Sequence, residues 1–255
     1  MNIPNLKYHN GKKPLLIAGP CLVEDELITV TIARELKSLT DKYQIPFIFK
    51  ASYRKANRTS NDAFEGIGDF EALNILYHIR EDLQIPIMTD FHTPGEASMA
   101  ADYVDILQIP AFLCRQTEMI KAAANTGKWI NIKKGQFTSC KDMLLAADKA
   151  ERAGNKNIMI TERGTTFGYD DLVIDFRNIY NLTERSNYPI IMDVTHSLGN
   201  QCGDTVLIIS IAKAARAIGA HGIFVETYPT PISALSDGQR MLPLEVMESL
   251  IQSII

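Results

Sequence analysis

Residues 129–135 read Trp129-Ile130-Asn131-Ile132-Lys133-Lys134-Gly135. The run is short, largely apolar and rich in β-branched residues, and it closes on two lysines and a glycine. Continuous rather than alternating apolarity is what a strand buried on both faces requires, as in a parallel sheet covered on its two sides. The same pattern recurs at 15–20, 46–52, 86–91, 106–111, 158–164, 190–195 and 222–227. Helical patterns lie between these runs. In 24–43, Leu27, Val30, Ile32, Ala33, Leu36 and Leu39 fall at helical spacing, and 70–83, 115–126, 141–153, 172–184, 205–218 and 242–255 follow the same rule. A shorter one covers 94–103. Gly127, Gly154 and Gly219 stand just past helix ends, where a left-handed cap belongs. Strands alternating with helices, with no linker or shift of composition, predict a single (β/α)8 TIM barrel over 1–255. Residues 1–13 form a short N-terminal extension placed to plug the barrel's N-terminal end. The other arrangement of such elements is an open doubly wound sheet, but no G-x-G-x-x-G turn follows any of the strands.

The composition is ordinary for a soluble globular protein. The chain has 255 residues, 46% hydrophobic and 22% charged, enough to bury a core without disulfide or metal staples. No apolar run approaches the ~18 residues of a membrane span. The N-terminus lacks a signal peptide's apolar stretch, so a cytoplasmic location is expected. A formal charge of −4, from 26 basic and 30 acidic residues, argues against nucleic-acid binding. The four cysteines, Cys21, Cys114, Cys140 and Cys202, contain no CxxC pair, which argues against a disulfide scaffold.

In such barrels chemistry sits at the C-terminal ends of the strands. Those ends and the loops after them carry Lys50, Ser52, Lys55, Arg58, Arg115, Lys133, Lys134 and Arg163. Neighbours on a strand face opposite ways, so Lys133 and Lys134 cannot both point inward. Several cations converging at the mouth of an acidic protein call for anionic ligands, phosphates and a carboxylate above all. A second set, Cys21, His196, Glu226 and Asp237, has the thiol, imidazole and carboxylate groups that bind divalent metals. Taken singly, Cys21 also reads as a small buried hydrophobe and His196 as a hydrogen-bonding residue. Asp90 and His92 read either as acid–base groups or as hydrogen-bond partners behind the site. The remaining cysteines read as packing or loop residues.

These residues sit in longer runs that resemble the 3-deoxy-D-manno-octulosonate 8-phosphate synthase family over nearly the whole chain. The runs include Ile17-Ala18-Gly19-Pro20-Cys21, Lys55-Ala56-Asn57-Arg58, Gln108-Ile109-Pro110-Ala111-Phe112-Leu113-Cys114-Arg115-Gln116 and Lys133-Lys134-Gly135-Gln136-Phe137. Thr161-Glu162-Arg163-Gly164-Thr165-Thr166-Phe167-Gly168-Tyr169 and Asp193-Val194-Thr195-His196-Ser197 extend the likeness.

The resemblance implies condensation of phosphoenolpyruvate with D-arabinose 5-phosphate and water, release of inorganic phosphate, and a product that feeds lipopolysaccharide synthesis. It implies a homotetramer with no nucleic-acid or membrane partner and no organic cofactor. Cys21 after Gly19-Pro20 resembles the metal-dependent branch, in which Cys21, His196, Glu226 and Asp237 would bind a divalent ion: Zn, Fe(II), Mn, Co or Cd. A metal-free branch runs the same chemistry, so the metal's expected role is positioning. Lys55, Lys133, His196 and Asp237 would be the catalytic residues, with Arg115 and Arg163 also around phosphoenolpyruvate. Lys50, Ser52, Asn57, Arg58, Thr59, Asp90, Gln108, Pro110, Ala111 and Gln136 complete the substrate-binding set. The related 3-deoxy-heptulosonate 7-phosphate synthases, which use erythrose 4-phosphate, are the alternative. The run Ser197-Leu198-Gly199-Asn200-Gln201-Cys202-Gly203-Asp204 is shorter than the family's loop at this point, which leaves a catalytically weak sugar-phosphate-binding relative as a further alternative.

Overall fold

The computed structural model describes residues 1–56, 60 and 63–255. Among them, eight parallel strands stand in sequence order around a closed barrel. They are β1 (Leu15–Gly19), β2 (Phe47–Lys50), β3 (Ile87–Asp90), β4 (Ile106–Ile109), β5 (Trp129–Lys133), β6 (Ile158–Glu162), β7 (Ile190–Asp193) and β8 (Gly222–Tyr228). Pairing of β8 with β1, from Leu15 opposite Gly222 to Gly19 opposite Glu226, closes the ring and removes every sheet edge. At Gly19 a side chain is impossible: a Cβ there would lie 2.1 Å from the Lys50 carbonyl oxygen.

The helices return each strand to the next. They are α1 (Glu26–Tyr43), α2 (Asp69–Leu83), α3 (Glu96–Ala101), α4 (Thr117–Asn125), α5 (Cys140–Arg152), α6 (Phe176–Arg185), α7 (Thr205–Ala217) and α8 (Met247–Ile254). Their starts follow from local chemistry. Asp25 accepts from the Ile28 amide, Asp204 accepts from the Leu207 amide, and Ser139 and Asp142 form a reciprocal capping box. Gly127, Gly154 and Gly219 take φ of 72°, 96° and 101° at the ends of α4, α5 and α7, as expected from the sequence.

Period-two alternation divides the strand residues between two cores. Outward residues such as Leu16, Phe49, Ile87, Leu107, Ile132 and Ile160 pack with the apolar faces of the helices. Each fully buried aliphatic side chain adds about 1.5–3 kcal/mol, so this layer supplies most of the favourable energy. Inward residues Ile17, Ile48, Met88, Ile106, Trp129, Met159, Ile191 and Phe224 fill the lumen, and Ile3 joins them with Met1 and Leu6 against it. The Trp129 indole donates to the Asn2 carbonyl at 2.9 Å, tying the N-terminal segment to that end of the barrel. Two residues further along the same strands, the inward positions become Lys50, Asp90, Gln108, Asn131, Thr161, Asp193 and Glu226. The barrel is thus apolar toward its N-terminal end and polar toward its C-terminal end.

Three helical stretches are shorter than the sequence pattern suggests. In 172–184, Leu172–Val173 pairs antiparallel with Thr165–Thr166 in a small hairpin, and α6 begins only after Asp175, which accepts from the Arg177 amide. In 242–255, Leu242–Pro243 forms a short strand, β9, beside Thr227 and Tyr228 of β8. Pro243 cannot donate to a helical ladder, so α8 starts beyond it. In 115–126, a tight turn over Ala111–Leu113 delays the start of α4 to Thr117. Among the described residues no helix is long and apolar enough to cross a membrane.

Candidate active site

At the C-terminal end of the barrel a cavity of about 260 Å³ opens among residues of β2, β3, β4, β5 and β8 and the loops that follow β2 to β7. Among the described residues four cations line it: Lys50, Lys55, Lys133 and Arg163. Lys50 is buried on β2, donating to Ser52 Oγ at 2.9 Å, with Asp90 at 3.7 Å and Glu226 at 3.6 Å. Lys133 closes β5, its Nζ 2.7 Å from Asp193 Oδ2 and 4.0 Å from the centre of the Phe224 ring. Burial lowers the pKa of Lys133, against the raising fields of Asp193 and Glu226. Burial also works against the charge of Lys55, but Cys21, Asp90 and Glu226 close by outweigh it and raise its pKa. Arg163 is lowered by burial; Asp193 opposes that and the neighbouring Arg240 adds to it.

Lys134 points the other way. Fully buried between β5 and β6, it donates to the Gly164 carbonyl at 2.9 Å and to Thr165 Oγ1 at 3.2 Å, with Glu162 at 3.3 Å. Glu162 in turn accepts from the amides of Arg163 and Gly164 at 3.0 and 2.7 Å. This buried pair holds the backbone that carries Arg163.

Asp193 organises the far wall. Its Oδ2 is 2.9 Å from His196 Nδ1, and its Oδ1 accepts from the Thr195 and His196 amides, both at 2.9 Å. Burial opposes its charge, yet His196 and Lys133 hold its carboxyl far below the usual range. The sequence places Asp193 with His196 at the end of its strand but gives it no role of its own; its inward place at the last residue of β7 was the signal. Asp90 is held well below the usual range by Lys50 and Lys55 in spite of burial. Gln108 accepts from Asn131 at 2.9 Å, and Asn131 from Thr161 at 2.7 Å, forming a neutral floor beneath the cations.

The four candidate metal ligands stand as two pairs. Cys21 Sγ lies 3.3 Å from Asp237 Oδ2, and His196 Nε2 lies 3.5 Å from Glu226 Oε2. Among the described residues no group of three or more His, Cys, Asp and Glu side chains is gathered closely enough to hold an ion. Lysine ammoniums sit where the negative charge concentrates, with Lys50 beside Glu226 and Asp90. Burial and then Glu226 push the Cys21 thiol up to about 12. Both carboxylate oxygens of Glu226 are buried without a hydrogen-bond partner. That is a costly state for a carboxylate and one that a cation relieves, so the donor set fits a metal ion chemically. Glu24, absent from the sequence reading, anchors the loop that carries Asp237. Its carboxylate accepts from the Tyr228 hydroxyl at 2.9 Å and from the Leu235 and Ser236 amides at 2.8 and 3.1 Å.

Of the remaining predicted residues, Pro110, Ala111 and Gln136 line the cavity with Gln108, while Ser52 does not line it and accepts from Lys50. Arg115 does not line it: its side chain is exposed at the start of α4, beyond the turn that follows β4. Asn57, Arg58 and Thr59 lie outside the described residues. The short segment after His196 is a tight turn over His196–Gln201 packed on the 165–173 hairpin, where Asp171 accepts from the Asn200 amide at 3.3 Å. Gly199 there takes φ 53°, and a Cβ on it would lie 2.1 Å from Asp171. Asp237, Arg163, Arg240 and Gln136 open onto a second, adjoining cavity of about 530 Å³ bounded by this turn and hairpin.

Comparison with known proteins adds to this geometry. A family model described as the DAHP synthetase I family matches residues 4–254. The 2-dehydro-3-deoxyphosphooctonate aldolase of Desulfosudis oleivorans is 48% identical, over 98% of this chain and 92% of that protein. Proteins of the same name from Granulibacter bethesdensis and Acidithiobacillus ferrooxidans are 43% and 45% identical, covering 100% and 93% of this chain and 92% and 86% of their own lengths.

Proposed function

The chain belongs to the DAHP synthetase I family, and from that premise we propose that its cavity joins phosphoenolpyruvate to D-arabinose 5-phosphate and water, giving 3-deoxy-D-manno-octulosonate 8-phosphate and inorganic phosphate. The full-length relatives named 2-dehydro-3-deoxyphosphooctonate aldolase favour this over the heptulosonate alternative. The observation that carries the reading is the charge of the cavity. Among the described residues Lys50, Lys55, Lys133 and Arg163 line it against Asp90 and Glu226, in a chain of net charge −4. Two phosphates and a carboxylate are the anions such a lining is built to receive.

Bringing two phosphorylated substrates together is unfavourable in water, and fixed cations remove that repulsion before the reaction begins. In this reading Lys55, Lys133 and Arg163 hold phosphoenolpyruvate. Lys50, Asp90, Gln108 and the segment Asn57-Arg58-Thr59 hold the sugar phosphate. C3 of phosphoenolpyruvate attacks the aldehyde carbon and its oxygen takes a proton. Water adds to C2 and gives up a proton, and the tetrahedral bisphosphate expels phosphate by C–O cleavage. Lys133 is suited to the proton given to the aldehyde oxygen: burial weakens its hold, and Asp193 at 2.7 Å keeps it charged until it is needed. His196, fixed through Nδ1 by Asp193, keeps Nε2 toward Glu226. Cys21, His196, Glu226 and Asp237 would hold a divalent ion, which when bound supplies a Lewis acid able to orient water or polarise the aldehyde. The same resemblance implies a cytoplasmic homotetramer serving lipopolysaccharide synthesis.

The test is phosphate release from phosphoenolpyruvate with arabinose 5-phosphate and, separately, erythrose 4-phosphate, each with and without EDTA. Release with arabinose 5-phosphate that EDTA abolishes and a divalent ion restores is the expected result. Release that survives EDTA overturns the metal assignment alone. Preference for erythrose 4-phosphate overturns the substrate, and no release with either sugar leaves a binding protein.

A further inference from the structure

One partly buried carboxylate outside the cavity gathers more donors than any step above uses. Glu96, the first residue of α3, accepts from four groups. Tyr53 Oη reaches its Oε2 at 2.5 Å and the His92 amide reaches the same oxygen at 2.9 Å. Arg54 Nη2 and Thr93 Oγ1 reach its Oε1 at 2.7 and 3.0 Å. Tyr53 and Arg54 belong to the loop after β2, whose next residue is the cavity lysine Lys55. His92 and Thr93 belong to the loop after β3. One side chain therefore fastens together two loops that are far apart in the chain and adjacent at the rim of the barrel.

The fastening reaches the cavity through His92. Its imidazole lies between two carboxylates, Nδ1 at 3.5 Å from Glu96 Oε2 and Nε2 at 3.4 Å from Asp90 Oδ2. It also packs edge-on against the Tyr53 ring, with centroids 5.9 Å apart. Both His92 and Asp90 line the cavity. Arg54 is braced from its other side by Asp69 of α2 at 3.2 Å. Charge-assisted hydrogen bonds of this kind are the strong ones, and four on one carboxylate leave the two loops little independent freedom.

We infer that Glu96 is a positioning residue for the sugar-phosphate half of the site: it sets the loop that leads into Lys55 against His92, and thereby fixes the wall on which Asp90 and Lys50 receive the sugar. In the proposed assignment phosphoenolpyruvate is held by Lys133 and Arg163, which stand by Asp193 and which Glu96 does not touch, and by Lys55 at the end of the fastened loop, so it depends on Glu96 less than the sugar phosphate does. A positioning role therefore separates the two substrates, whereas a merely structural role does not. The inference rests on the proposed assignment of the sugar phosphate to this wall.

The experiment measures KM for each substrate, kcat and the melting temperature for the wild type, Glu96→Gln, Glu96→Asp and Tyr53→Phe. Glu96→Gln puts an amide group where one carboxylate oxygen stood and strands donors. The expected result is a KM for arabinose 5-phosphate raised about tenfold or more, with KM for phosphoenolpyruvate raised clearly less because only Lys55 of its binding groups follows the fastened loop, each tenfold step being 1.36 kcal/mol. Glu96→Asp restores part of the loss. Tyr53→Phe, which removes one donor and no charge, gives a smaller change of the same kind in a protein expected to fold. Equal changes in both KM values, or a lowered melting temperature with neither KM altered, overturns the inference while the proposed activity stands. A wild-type protein without turnover of arabinose 5-phosphate overturns both.

Discussion

Replacing Asp193 by Asn removes one charge from a fully buried position while keeping its shape. The Asn carbonyl can still accept from the Thr195 and His196 amides, which now bond Oδ1, so the turn is retained. At the place of Oδ2, however, an amide group meets Lys133 Nζ and His196 Nδ1, which lie 2.7 and 2.9 Å from that oxygen. Two unit charges 2.7 Å apart attract by about 6 kcal/mol at an effective dielectric constant of about 20. Part of that offsets the desolvation of both groups, and breaking one side of a buried pair costs about 3–5 kcal/mol in practice. If about 3 kcal/mol of this appears in the transition state, kcat/KM falls by roughly two orders of magnitude. The loss has a pH signature. Burial lowers the pKa of Lys133 and Asp193 raises it, so without the carboxylate Lys133 loses its proton at lower pH. The basic limb of the kcat/KM profile in the phosphate-release assay should therefore move to lower pH. A variant that melts like the wild type, retains kcat/KM within about threefold and shows an unmoved basic limb would refute the role given to this pair.

Lys134→Met leaves Glu162 buried without its counter-charge and the Gly164 carbonyl without a donor; urea denaturation should show a loss of about 3–5 kcal/mol, and a loss under about 1 kcal/mol contradicts the clamp. Glu96 has its carboxyl lowered from 4.5 to about 2: burial opposes the shift, and bonds from Tyr53, His92 and Thr93 with the charge of Arg54 drive it. A lowered folded-state pKa gives stability that is present above 4.5 and lost as pH falls toward 2. The melting-temperature gap between the wild type and Glu96→Gln should then be wider at about pH 5 than at about pH 3, and a gap independent of pH excludes this linkage. Cys21→Asn, prepared free of metal, should keep kcat within about tenfold of the metal-loaded wild type if the ion only positions groups, a difference of about 1.4 kcal/mol; no turnover without metal would rule that role out.

The barrel was legible because its strands are buried on both faces and so lack the alternation that would mark a half-exposed sheet. The helix ends at Gly127, Gly154 and Gly219 were legible because a left-handed cap favours glycine. The errors fell where a local pattern had a tertiary competitor. Leu172 and Val173 continue a helical spacing, but Thr165 and Thr166 offer them a strand partner. Leu242 likewise finds the end of β8 before α8 begins. In the site, cations at strand ends stood out from the apolar residues before them, and Asp193 shared that position, whereas Glu24 was one acid among 30 and carried no local mark.

By itself the sequence determined which residues stand at the C-terminal ends of the strands, and hence that lysines, arginine and carboxylates crowd one mouth of the barrel. Which of them face inward was decided by tertiary structure. A shift of one residue in register exchanges the two faces of a strand, so only the closed barrel separates Lys133, beside Asp193 in the lumen, from Lys134, bonded to Gly164 outside it. The same holds for contacts that close long loops of chain. Cys21 meets Asp237 across 216 positions and Glu24 meets Ser236 across 212, and Arg115 stays outside the cavity although the adjacent turn lines it. Local spacing specifies the elements, but distances between side chains on different elements exist only once the whole ring of strands has closed.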